Sequence, residues 1–68
     1  MHRLHFDRTD YSVVVKSRAE PPNPWRWEIY RAGTTSPIKT SLIYFQTVMA
    51  ARQSGKETLK ELLGKLFA

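Results

Sequence analysis

Three groups of side chains in this 68-residue chain are of the types that chemistry uses. His2 and His5 are spaced i,i+3 with Asp7 close behind. On a helix the two imidazoles share one face, and with the carboxylate they supply a possible metal set. Two histidines near a terminus are more commonly incidental, and no metal is expected. Ser54-Gly55-Lys56-Glu57-Thr58 contains the Gly-Lys pair of a phosphate-binding loop. That loop needs an earlier glycine at fixed spacing and a Ser or Thr directly after the lysine. Ala50 and Glu57 occupy those places, inside a segment with helical spacing, so the loop is excluded. Glu28, flanked by aromatics, is the third candidate, since a desolvated carboxylate can act as a general acid or base. No second carboxylate, histidine or nucleophile is placed beside it. It reads instead as a cross-strand partner for Lys16 or Lys39. No catalytic, metal-binding or cofactor-binding residue emerges, and the chain reads as non-enzymatic.

The elements that position these residues follow from periodicity. Tyr11-Ser12-Val13-Val14-Val15-Lys16 is β-branched and aromatic, which predicts a strand over about residues 10–17. Residues 18–24 hold Pro21, Pro22 and Pro24, which remove backbone donors and force a loop. In Trp25-Arg26-Trp27-Glu28-Ile29-Tyr30 large apolar residues alternate with Arg26, Glu28 and Tyr30, the period of a strand with one buried face, over about 25–31. Ala32 to Pro37 reads as a turn with Gly33 free to take a positive φ. A third strand is expected over about 37–45. Its apolar residues do not alternate cleanly, and Ile38, Leu42 and Tyr44 are taken as the inward set.

From Thr47 the period changes. Val48, Ala51, Gly55, Leu59, Leu62 and Leu66 recur every three or four residues, one face of an α-helix over about 48–64. Thr47 suits the N-cap. Gly64 is a possible stop, or the helix runs one turn further to seat Leu66. Gly55 sits on the apolar face, where a small residue lets the helix approach the tryptophans closely. The expected architecture is α+β, order β-β-β-α, with a three-stranded antiparallel sheet packed on one C-terminal helix. Residues 1–68 read as one small domain, with 1–9 as a frayed start.

This pattern carries a resemblance. Trp27-x-Ile29, Gly33, Ile38-Lys39-Thr40-Ser41-x-x-Tyr44, then Thr47 and a short Ala-containing helix resemble the YegP-type domain, over about residues 11–60. Those are small bacterial proteins with a three-stranded sheet and a helix, largely uncharacterised. The resemblance implies the same fold and pairing of two such units, and it carries no catalytic residue. The Pro-rich loop before Trp25, the second Trp and the leucine-rich tail depart from it.

Composition bounds the partners. A 41% hydrophobic share with 12% aromatics argues for a folded chain. Cysteine is absent, so disulfides cannot help a small core, and a reducing cytoplasm is the expected address. No apolar run reaches the roughly 20 residues of a membrane span, and no signal-peptide core follows Met1, so no membrane partner is expected. The net charge of +5 is spread along the chain without a basic block. Val13, Val15, Trp25, Trp27 and Ile29 should pack under the helix. The opposite sheet face would then show Val14, Lys16, Arg26, Glu28, Tyr30, Lys39, Ser41 and Ile43. Val14, Tyr30 and Ile43 there suggest a protein-interaction or self-association module, possible as a homodimer. The alternative is nucleic-acid binding, with Lys16, Arg26 and Lys39 on phosphates and Tyr30 stacking a base.

Overall fold

Alternation of large apolar and polar residues in two segments produces a β-hairpin, and a change to helical period produces its cover. The computed structural model describes residues 8–67; the His2, His5 and Asp7 group and residues 1–7 of the expected frayed start lie outside them. Arg8–Asp10 makes one 3-10 turn that leads into the sheet. β1 (Tyr11–Ser17) and β2 (Trp25–Arg31) pair antiparallel, with Val13 opposite Ile29, Val14 opposite Glu28 and Lys16 opposite Arg26. The Pro-rich loop joins them and is closed by Arg18 N donating to Pro24 O at 2.8 Å. Gly33 turns the chain at φ 87°, and Thr34 hydroxyl caps the turn by donating to Arg31 O at 2.7 Å. The sheet order is β1-β2-β3, an antiparallel three-stranded sheet followed by one helix, α1 (Val48–Leu66).

The third strand departs from expectation. β3 is only Lys39–Thr40, opposite Ile29 and Glu28. Ser41 extends the pairing by donating its N–H to Trp27 O at 3.0 Å. The chain then leaves the sheet and returns at Phe45, which bridges Trp25. Leu42, Ile43 and Tyr44 therefore stand against Arg26 alone, as a bulge. The inward set expected from parity is wrong. Ile38 is 40% exposed, Leu42 98% and Tyr44 37%. Directly paired residues share a face, so Lys39 (opposite Ile29) and Ser41 (opposite Trp27) occupy the helix side.

α1 lies over the odd-numbered residues of β1 and β2. Ile29 and Ala51 are fully buried, and Trp27 and Tyr11 nearly so. The Trp27 indole Nε1 donates to Ser54 Oγ on α1 at 3.1 Å, so its polar edge is satisfied inside the interface. Thr47 is the N-cap, accepting from Ala50 N through Oγ1 at 3.0 Å. Gly64 does not stop the helix. The last turn instead brings Phe67 edge-on to Tyr11, ring centroids 6.3 Å apart, while Leu66 is left 53% exposed. Phe67 therefore takes the place that spacing assigned to Leu66.

Candidate functional site

Two surfaces flank this core. The first surrounds Glu28. Strand alternation turns Glu28 away from α1, yet it is only 1% exposed, because its own partners cover it. Arg26, also on β2, reaches Oε2 with Nη2 at 2.9 Å and Nε at 3.0 Å. Arg18 leans in from the Pro-rich loop and donates Nε to Oε2 at 3.4 Å. Tyr30, two positions along β2, donates its hydroxyl to Oε1 at 2.8 Å. Lys16 of β1 stands 3.9 Å from Oε1 and 5.6 Å over the Tyr30 ring. Lys39, on the other face, takes no part in this cluster.

Burial pushes the Glu28 carboxyl up, but the hydrogen bonds from Tyr30 and Arg26 and the charges of Arg26 and Arg18 outweigh it. The net result is a carboxyl held below its ordinary value. The hydrogen bond to Glu28 in turn raises the Arg26 guanidinium above its usual range, against a smaller desolvation cost. An acid held ionised in this way is a structural anchor, poorly suited to proton transfer. Its linkage has a definite sign. A carboxyl depressed in the folded state contributes stability in full above the unfolded value of about 4.3, and loses it as pH falls through the lower folded value. The unfolding midpoint of the wild type should therefore drop on acidification in that window. Glu28→Gln should lower the midpoint at neutral pH and flatten the acid limb. An unchanged acid limb in the variant would contradict the assignment.

The second surface is the β3 edge. Lys39, Thr40, Ser41, Leu42, Ile43 and Phe45 on one side, and Ser54, Thr58 and Glu61 of α1 on the other, bound an open groove of about 380 Å³ with Trp27 at its wall. Leu42 is 98% exposed and Ile43 63% exposed on its rim, and Met49 nearby in sequence on α1 is 79% exposed. β3 is also an edge strand, with no strand beyond it among the described residues.

Alternation along the sequence predicts Val14, Lys16, Arg26, Tyr30, Lys39 and Ile43 on one face. The register places Val14, Lys16, Arg26 and Tyr30 together on the open side of the β1–β2 hairpin. Lys39 belongs to the helix side, and Ile43 belongs to the groove, so the Val14-Tyr30-Ile43 patch does not form as one surface. Ser41 is likewise 8% exposed on the helix side. Arg18 and Leu42 were missed. Arg18 sits outside any strand period, and Leu42 was assigned to the core by a parity that the bulge interrupts.

The fold and these surfaces define an α+β protein with a three-stranded antiparallel sheet and one covering helix. No family model, curated protein or solved structure matches the chain. Among the described residues no group of three His, Cys, Asp or Glu side chains is arranged to hold a metal, and no helix is long and apolar enough to cross a membrane.

Proposed function

We propose that this chain is a non-enzymatic interaction module that pairs with a second copy of itself through the β3 edge. The observation that carries the reading is Leu42, a large apolar side chain 98% exposed beside a groove lined by Trp27, Phe45 and Ile43. Water solvates such a group poorly, and burying one leucine contributes about 1.5–3 kcal/mol. A knob and a hollow on one surface are self-complementary under a two-fold axis, where each copy seats its own Leu42 in the groove of the other. The charges fit the same symmetry. Lys39 and Glu61 both line the groove, so each copy brings one charge of either sign to the contact. The pairing of two units implied by the YegP-type resemblance agrees with this reading, although the surface differs from the outer sheet face first expected. Base stacking on Tyr30 has less support, since its hydroxyl is held by Glu28 and Lys16 covers its ring.

Sedimentation of the wild type and of Leu42→Asp tests the pairing. The wild type should show a concentration-dependent dimer. Leu42→Asp should be monomeric at the same concentrations with an unchanged thermal midpoint, since the side chain makes little contact within its own chain. A wild type that stays monomeric at millimolar concentration, or a variant that dimerises equally well, would contradict it.

A further inference from the structure

We propose that Lys16, Arg18 and Arg26 form a binding site for a phosphate group on the sheet face away from α1. Long basic side chains on a surface normally spread apart, because like charges repel and each chain loses rotamer entropy when fixed. Here one buried carboxylate gathers three of them: Arg26 Nη2 at 2.9 Å, Arg18 Nε at 3.4 Å and Lys16 Nζ at 3.9 Å from Glu28 oxygens. Three cations around one anion leave a local excess of positive charge, and the ordering accompanies folding rather than ligand binding.

The orientation of the donors gives the site its chemistry. Arg18 turns its Nε toward Glu28, so the end of the guanidinium formed by its two Nη groups is directed away from the carboxylate. That end is the fork that donates to two oxygens of one oxyanion. The Arg18 side chain is 47% exposed and that of Lys16 39%, so both are open to solvent, whereas Glu28 at 1% lies beneath them. An approaching anion meets the cations first. Tyr30 is committed to Glu28 and Lys16, so the site recognises the phosphate and leaves any attached base unread. The phosphate group has two possible sources, a free phosphate or phosphomonoester, and the phosphodiester backbone of a single nucleic-acid strand.

The test follows the arginine side-chain Nε–H signals by NMR while sodium phosphate, sodium chloride at matched ionic strength, or a short oligothymidylate is added. The Arg18 and Arg26 signals should shift saturably with phosphate or with the oligonucleotide, and not with chloride. Saturation by the oligonucleotide at much lower concentration than by phosphate assigns the diester source. Saturation by phosphate alone assigns the free group. Arg18→Gln should weaken binding by about tenfold or more, as loss of a charge-assisted hydrogen bond does. Lys16→Gln serves as a second variant should Arg18→Gln fold poorly. Leu42→Asp should bind as the wild type does, which separates this site from the proposed pairing surface. Shifts equal to those in chloride, no saturation with either ligand, or full binding by both charge variants would overturn the proposal.

Discussion

Trp27→Ala should cost about 3–5 kcal/mol and leave the chain largely unfolded at room temperature. Trp27 is 5% exposed at the centre of β2, touches the α1 backbone at Gly55 and anchors Ser54 through its indole N–H. Replacing it opens a cavity between sheet and helix and leaves the Ser54 hydroxyl without that donor. A domain of this size has roughly 3–10 kcal/mol in total at about 0.05–0.15 kcal/mol per residue. The loss is therefore comparable with the whole. Circular dichroism and the fluorescence of the remaining Trp25 report the outcome. A cooperative transition near the wild-type midpoint would show that the wrong face of β2 has been placed in the core.

Gly55 gives the second large effect. Ala is a better helix former than Gly by about 1 kcal/mol, so in an open helix Gly55→Ala would stabilise. Here an added Cβ would lie 2.7 Å from Val13 Cγ1 and 2.9 Å from Trp27 Cβ and Cγ. The Val13 methyl has some freedom to turn aside, but Trp27 Cβ is fixed to the central strand. The helix must then lift from the sheet, and overpacking of this kind costs about 1–3 kcal/mol. Gly55→Ala should lower the unfolding midpoint, and Gly55→Leu should lower it much further. Gly64 supplies the control, since nothing lies within 4 Å of a Cβ there. Gly64→Ala should raise the midpoint. If both alanine substitutions stabilise, the close approach of α1 to β2 is not present in solution.

The hairpin and the helix were legible because each obeys a single period over many residues. Trp25, Trp27 and Ile29 gave the buried face of β2 directly, and the small side of α1 at Ala51 and Gly55 identified the face against it. The third strand was not legible, because alternation holds only while pairing is continuous. Its apolar residues cluster at Leu42, Ile43 and Tyr44, where the bulge sets three residues against Arg26. That failure to alternate was the available sign of a bulge. Reading the cluster as a strand end sent Leu42 to the core and Lys39 to the outer face. Glu28 was legible as a cross-strand partner for Lys16, with a separation of 3.9 Å, but not for Lys39. Its near-complete burial was not legible, because Arg18 arrives from an aperiodic loop whose course no sequence spacing describes. At the C-terminus, spacing favoured Leu66, while the direction of the last turn seats Phe67 on Tyr11.

The pairing through the β3 edge is tested most directly by isotope-filtered NMR on a mixture of labelled and unlabelled chains. Only contacts between copies give signals in that experiment. Cross-peaks are expected between the Leu42 methyl groups of one copy and the Trp27 and Phe45 rings of the other, lost in Leu42→Asp. No intermolecular cross-peaks at millimolar concentration, or cross-peaks confined to Val14 and Tyr30 on the opposite face, would contradict it.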